Sequence, residues 1–201
     1  MNIEKTLENF RSNGFEAVYF ETVNEAVEYL DNKIDGVSVS YGGSMTVSQT
    51  GLLKKLEKHN EIWSHWDVPE GMTKEEVMKK AMLTDVYLTS ANGASEGGEL
   101  VNIDGTGNRV SSTLFGHKKV YFIVGINKFE ETLEKAVFRA RNISAPLNAK
   151  RLGRKTPCAV KGDRCYNCSS EERICRGLVI HWKKLTSCDT EVVIIGEKLG
   201  F

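Results

Sequence analysis

Short apolar strands alternate with capped helices along most of the chain, and this alternation constrains the fold more than any other feature. Runs such as 85-DVYLT-89 and 119-KVYFIVG-125 are typical of buried strands, whereas residues 3–12 carry apolar side chains at helical spacing. Thr22 and Glu25 have the spacing of a capping box at a helix start. The alternation predicts βαβ units, and therefore an α/β fold with an open, mostly parallel sheet and helices on both faces.

The same patterns place the individual elements. Strands are expected at residues 15–20, 36–40, 61–66, 85–89, 99–103, 119–125, 177–182 and 191–196. Further helices are expected to start at the capping pairs Thr22–Glu25, Thr46–Gln49, Thr73–Glu76 and Asn127–Glu130, with Val77, Ala81 and Met82 facing inward after the third pair. We expect one α/β domain over residues 1–201, with an irregular cysteine-rich excursion at about 145–176.

The overall charge argues against some classes of partner. The 201 residues have a formal net charge of zero and a pI near 6.9, so no global charge attracts nucleic acid or an anionic membrane. The longest apolar run, 120-VYFIV-124, is too short to span a bilayer, and the first fifteen residues lack the apolar core of a signal peptide. We expect a cytoplasmic protein without nucleic-acid or membrane partners; a homo-oligomer is compatible with the sequence.

The segment 38-SVSYGGSMTVSQTGL-52 leads from a strand through two adjacent glycines into a helical pattern. Adjacent glycines cost backbone entropy and occur where the chain turns tightly or another group approaches closely. In open α/β sheets, ligands bind beyond the carboxyl ends of strands, where helix N-termini attract anions. Gly42, Gly43 and Ser44 therefore form either a plain turn or a cradle for a phosphate or carboxylate.

A second glycine corner lies at 102-NIDGTGNRV-110, between a strand and a short helix with Asn108 as the expected N-cap. A dinucleotide-binding fingerprint would need a third glycine where the chain has Val110, so that function is disfavoured. The ligand-binding candidates of this corner are Gly105, Thr106 and Asn108. Asp104, which precedes them, is a candidate catalytic carboxylate.

The loop 89-TSANGASEGG-98 contains small residues and one carboxylate, Glu96. A carboxylate in such a loop can act as a base or nucleophile, although loop glutamates are more often simply solvated. Glu96 is the first candidate catalytic residue, and Asn92 is a candidate ligand contact.

Two stretches, 42-GGSMTVSQTGL-52 and 89-TSANGASEGGELVNIDGTGNRVSSTLFGHKKVYFIVGINK-128, resemble the LUD-domain (lactate utilisation) family over about residues 1–145. They are also similar to the wider α/β superfamily of isomerases, CoA transferases and cyclo-ligases. The resemblance implies that one cleft is lined by Gly42, Gly43, Ser44, Glu96, Asp104, Gly105, Thr106 and Asn108. It also implies a pathway, the oxidation of L-lactate to pyruvate beside iron–sulfur partner proteins.

Three functions follow from these features. The first is a LUD-type component of lactate oxidation with an anion-binding cleft and a metal loop. The second is a stand-alone transferase or isomerase acting on a phosphorylated or CoA-linked small molecule. The third is a non-catalytic module that binds a metabolite and docks on an iron–sulfur redox partner. Whether the chain is an enzyme stays open at this point.

All five cysteines lie in the last quarter of the chain, and four of them follow the spacing C-x6-C-x2-C-x6-C. These four are Cys158, Cys165, Cys168 and Cys175. Two thiolates in a C-x2-C unit can grip one ion, so we expect the four to bind zinc or an iron–sulfur cluster, with free thiols as the alternative. Between residues 150 and 176 there are eight Lys and Arg but three Asp and Glu, an excess that suits a thiolate-bound metal and equally an acidic partner surface or a solvated face. Cys188 is expected to be an ordinary thiol.

Overall fold

A fully parallel six-stranded sheet forms the centre of the protein in the computed structural model, which describes residues 1–201. The strands are β1 (Glu16–Phe20), β2 (Ser38–Tyr41), β3 (Glu61–Trp63), β4 (Val86–Thr89), β5 (Gly93–Ser95), β6 (Leu100–Asp104), β7 (Lys119–Gly125), β8 (Phe129–Glu130), β9 (Gly177–His181) and β10 (Asp189–Ile195). The order in the large sheet is β1-β10-β7-β4-β2-β3, which confirms the predicted parallel α/β architecture.

Helices flank this sheet. They are α1 (Ile3–Ser12), α2 (Val23–Lys33), α3 (Met45–Thr50), α4 (Leu53–Leu56), α5 (Lys74–Ala81), α6 (Asn108–Leu114), α7 (Leu133–Arg139), α8 (Ala145–Arg151) and α9 (Pro157–Lys161). None of them has the length and apolar composition that crossing a membrane requires. The capping boxes predicted at Thr22 and Thr73 are both formed.

Strand β7 shows how the sheet is buried from both sides. Tyr121 and Ile123 belong to the core on the face covered by α2, α3 and α4, whereas Val120, Phe122 and Val124 belong to the core on the opposite face, with Phe10 of α1. Parallel strands covered on both faces read as continuous apolar runs, which is why the sequence identified this strand well.

A second, four-stranded sheet covers part of the second face, in the order β8-β5-β6-β9. Its strands β5 and β6 pair antiparallel, as do β6 and β9, whereas β5 and β8 pair parallel. The prediction of a loop over residues 89–98 was therefore wrong for Gly93–Ser95. Three small residues carry no periodic signal, and they form a strand only because longer-range partners supply the hydrogen bonds.

Several predicted helix starts were also wrong. Ser44, rather than Thr46, caps α3, and Thr46 lies inside that helix with its side chain buried. Thr132, rather than Asn127, caps α7, because Ile126–Lys128 form a 3₁₀ turn that leads directly into β8. In both cases the two residues have the spacing of a capping box but do not start a helix. Contacts with other elements place the helix start elsewhere. Met82, expected to face inward, is largely exposed.

The segment 145–176 is less irregular than predicted, because it contains the helices α8 and α9. Pro157 lies in the first turn of α9, where a missing N–H leaves no intrahelical bond unmade, and Pro146 is the second residue of α8. A π-helical segment, Ala140–Ser144, joins α7 to α8. Residues 152–156 and 162–176 lack regular structure within this region.

The backbone of Gly93 in β5 packs closely against helix α7. A Cβ atom at this position would lie 2.5 Å from the carbonyl oxygen of Ala136 in α7. We expect Gly93→Ala to lower the free energy of unfolding by about 1–3 kcal/mol, because backbone would have to move to admit the methyl group. The matched control is Gly177→Ala, whose Cβ would meet no atom closer than 4.0 Å, and urea denaturation should show a change within about 0.5 kcal/mol. Equal losses in the two variants would contradict this packing.

Candidate functional site

A cleft of about 360 Å³ opens beyond the carboxyl ends of the parallel strands. Its lining includes Gly43 and Ser44 after β2, Ser90 to Asn92 after β4, and Lys128 after β7. The second glycine corner, residues 104–108, lines the same cleft from the end of β6. The two corners thus lie together as predicted, but they end strands of two different sheets rather than one.

The cleft is strongly cationic. Its lysines and arginines are Lys74, Arg109, Lys128, Arg151 and Arg154, and Asp104 is the one acidic residue that lines it. Such an excess of positive charge in a concave site raises the local concentration of anions. The volume lies within the range of small-molecule sites.

Lys128 is the most unusual side chain of the cleft, because it is charged at its ordinary pKa yet only 4% exposed. Its Nζ donates to the hydroxyl of Thr46 at 2.8 Å, to the carbonyl oxygen of Ala91 at 3.1 Å and, more weakly, to the hydroxyl of Ser90 at 3.4 Å. All three acceptors are neutral. Burial, reinforced by the positive charges of Arg139 and Arg109, lowers the pKa of Lys128 to about 7.

Arg139 lies buried next to Lys128 and binds four chain segments together. Its guanidinium donates to the carbonyl oxygens of Asn127 at 3.0 Å, Asn92 at 2.8 Å and Phe201 at 3.1 Å, and to the hydroxyl of Ser144 at 2.7 Å. The nearest carboxylate, that of Glu130, is 4.0 Å away. Because its partners are almost all neutral, Arg139 keeps its positive charge close to the lysine.

Arg109 is held in the same manner on the other side of the cleft. It donates to the side-chain oxygens of Asn102 at 2.6 Å and Asn92 at 3.1 Å, and to the carbonyl oxygen of Ile103 at 2.6 Å. Asn92, a predicted ligand contact, thus lines the cleft and also orients an arginine.

Asp104 caps the second corner. One carboxylate oxygen accepts from the backbone N–H groups of Gly105, Thr106 and Gly107 at 2.7–3.3 Å, and the other accepts from Val110 at 3.1 Å. Gly107, rather than the predicted Asn108, is the N-cap residue of α6, and Asn108 is its first helical residue. Asp104 lines the cleft, but its hydrogen-bonding capacity is largely used by the backbone.

The two glycines of the first corner have different surroundings. Neither Gly42 nor Gly43 has a positive φ, so no unusual turn requires them. A Cβ at Gly42 would lie 2.5 Å from the hydroxyl of Tyr87 and 3.1 Å from Cγ of Arg109, so this glycine makes room for those side chains and does not itself line the cleft. Gly43 and Ser44 do line it, with Trp66 packed over Gly43.

Glu96 lies outside the cleft, so the prediction that it would join the glycine corners was wrong. Its carboxylate is 3.7 Å from the amino group of Met1, and its backbone bonds to Glu130 and Asn9. Strand β5 carries the chain away from the strand ends before Glu96 is reached. The structure thus gives this glutamate a place between α1 and β8.

The buried lysine of the cleft, Lys128, was not identified from the sequence. Lys128 follows β7 in 125-GINK-128, at the carboxyl edge where ligands bind, but no spacing distinguishes it from a surface lysine. The supporting Arg139 lies on a predicted helix face among apolar residues, where a buried guanidinium leaves no periodic signal.

The four spaced cysteines surround a second, small pocket beside the cleft, with Arg141 and Arg173 also in its lining. All five cysteines are free thiols, and no three His, Cys, Asp or Glu side chains lie close enough together to hold a single metal ion. Cys188 is buried in the core below the large sheet.

The comparisons with known proteins agree with the sequence resemblance. The model of the LUD domain family matches residues 3–195, which includes both glycine corners and all five cysteines. A solved DUF162 family protein from Deinococcus radiodurans is 12% identical, with a TM-score of 0.47 and coverage of 98% of this chain and 99% of that chain. No curated protein matches the sequence. The family match extends well beyond residue 145, where the resemblance seen in the sequence ended.

The pKa of Lys128 should make stability depend on pH. Below about pH 7 the lysine is protonated in both folded and unfolded chains; between about pH 7 and pH 10 only the unfolded chain holds the proton. Relative to Lys128→Met, the wild-type free energy of unfolding should therefore rise by up to about 1.4 kcal/mol per pH unit across this window. Urea denaturation at several pH values measures it, with the exposed Lys54→Met as control. A difference independent of pH would contradict the lowered pKa.

The capping role of Asp104 predicts a graded response. Asp104→Ala should lower the free energy of unfolding by about 1–2 kcal/mol, because four backbone N–H groups lose their acceptor. Asp104→Asn should cost less, since an amide oxygen also accepts such bonds. Thermal and urea denaturation compare the two, and a larger loss for asparagine than for alanine would exclude capping as the main role.

Proposed function

We propose that this chain, which belongs to the LUD domain family, binds a small anionic metabolite in its cationic cleft and exchanges a proton with it through Lys128. The observation that carries the proposal is the buried lysine, whose pKa of about 7 makes both protonation states available at neutral pH. A lysine that served only to balance charge would have a carboxylate partner, whereas the partners of Lys128 are hydroxyl and carbonyl oxygens.

The surrounding cations support recognition of an anion. Arg109 makes its hydrogen bonds to amide and carbonyl oxygens, and its one ion pair, with the Asp104 carboxylate, is long at 3.8 Å. Arg154 and Lys74 also line the cleft, and neither has a carboxylate partner. A carboxylate or phosphate that enters would find several donors around it, with charge-assisted hydrogen bonds as the main source of affinity.

The family association with lactate utilisation makes 2-hydroxy and 2-oxo acids the first ligand class to consider. With the substrate carboxylate held by the arginines, neutral Lys128 can accept the hydroxyl proton of a 2-hydroxy acid. Oxidation to the 2-oxo acid also releases a second proton and two electrons, which an iron–sulfur oxidoreductase of the same pathway would take up. The chain would then act as a component of lactate-to-pyruvate oxidation in the cytoplasm.

A second function is favoured by the size and charge of the cleft. About 360 Å³ and five cationic side chains exceed what one three-carbon carboxylate can occupy. A phosphorylated or CoA-linked small molecule would use more of both, as in a transferase or isomerase in which Lys128 moves the proton. The resemblance to the wider superfamily of isomerases and CoA transferases agrees with this alternative.

Titration calorimetry with sulfate tests the shared element of both functions, since the charge of sulfate is constant between about pH 6 and pH 9. Binding should weaken as the pH rises through about 7 and Lys128 loses its proton. Lys128→Met should bind about tenfold more weakly at pH 6 and show no such pH dependence, because it lacks a charge-assisted hydrogen bond. Lys54→Met, outside the cleft, serves as the matched control.

The same measurement separates the two ligand classes. Tighter binding of lactate or pyruvate than of sulfate would favour the lactate pathway, and tighter binding of sugar phosphates or CoA thioesters would favour the second function. Sulfate affinity unchanged in a folded Lys128→Met variant would exclude both functions as stated.

A further inference from the structure

We propose that Cys158, Cys165, Cys168 and Cys175 together hold one [4Fe–4S] cluster. The observation is that all four thiols line one small pocket, although they are spread over eighteen residues of chain. The remainder of the pocket is made mainly of Ala145, Pro146, Ala149 and Ile174, together with Thr156 and two arginines. Four thiols that line one mostly apolar pocket provide the ligand set of a cubane cluster.

The backbone around the thiols is already shaped for a metal centre. Asn167, inside the C-x2-C unit, has a positive φ of 45° and donates its backbone N–H to Sγ of Cys165 at 3.3 Å. A backbone N–H aimed at a cysteine sulfur stabilises the thiolate and is one of the means by which proteins tune clusters. A non-glycine residue with this conformation is uncommon, so the turn is held by its surroundings.

Arg173 fixes the loop that carries the other sulfurs. Its guanidinium donates to the carbonyl oxygens of Cys168 at 2.7 Å and Cys175 at 2.8 Å. The N–H of Cys165 in turn donates to the side-chain oxygen of Asn142 in the π segment at 3.2 Å. Three of the four ligand positions are therefore tied down by contacts that do not use the sulfur atoms.

The local charge suits the cluster. Four thiolates around a core of charge 2+ leave a net charge of 2−, which is costly to bury without nearby cations. Arg141 and Arg173 line the pocket, and no acidic side chain does. Their two positive charges match the net charge of the bound cluster.

The positions of the four thiols around the pocket favour a cluster over a single ion. No three of the thiols converge on the position that one ion would take. A zinc ion would have to draw all four inward, whereas a four-iron core reaches outward and binds each thiolate at a separate corner. The pocket also shares Ala145 and Ile174 with the cleft, so the cluster would lie one layer of residues from the anion site.

The experiment uses the full chain purified without air, followed by iron, zinc and acid-labile sulfide analysis and a visible absorption spectrum. We expect a brown protein with about four iron and four sulfide per chain. Cys165→Ser and Cys168→Ser should each lose most of the iron, whereas Cys188→Ala, outside the pocket, should keep it. Far-UV circular dichroism checks that the variants are folded.

Thiol labelling of the wild-type chain provides a readout that does not depend on any variant folding. The four pocket cysteines should resist alkylation in the brown protein and react after the cluster is removed with a chelator and oxidant, as read by peptide mass spectrometry. Colourless protein with one zinc per chain would overturn the cluster in favour of a single ion. Protein with neither metal, even after anaerobic incubation with ferrous iron and sulfide, would overturn metal binding altogether.

Discussion

The cleft depends on the hydrogen bonds that the buried guanidinium of Arg139 donates. It joins the segment after β7, the segment after β4, the π helix and Phe201 through four hydrogen bonds. An arginine cannot lose its proton in a protein, so these oxygens surround a permanent charge. That charge lies beside Lys128 and contributes to its lowered pKa. A single residue therefore both joins the segments around the cleft and helps burial to lower the pKa of Lys128.

The hydrogen bonds that position Arg109 and Lys128 in the cleft go to amide, hydroxyl and carbonyl oxygens. Arg109 illustrates the arrangement: its close partners are Asn92, Asn102 and Ile103, while Asp104 is occupied by backbone N–H groups. Ion pairs would have held the same side chains in place but would have cancelled their field. The cleft is therefore locally positive, although the whole chain has no net charge.

The cleft and the cysteine pocket are adjacent and share lining residues. At Gly105 a Cβ would lie 2.7 Å from the carbonyl oxygen of Ile174, and the N–H of Arg176 donates to the carbonyl oxygen of Asp104 at 2.9 Å. The cysteine loop is therefore docked on the second glycine corner by backbone contacts. Residues 162–176 therefore contact the corner that lines the cleft.

The sequence by itself determined the parallel α/β fold, because strands buried on both faces and helices with capping boxes leave strong local patterns. It also located the glycine corner at Asp104 and grouped the four cysteines. Only the tertiary structure decided that Lys128 is buried, that Glu96 lies elsewhere, and that β5 belongs to a second sheet. The reason is physical: burial, a lowered pKa and the pairing of a three-residue strand arise from groups far apart in the chain, and no local pattern records them.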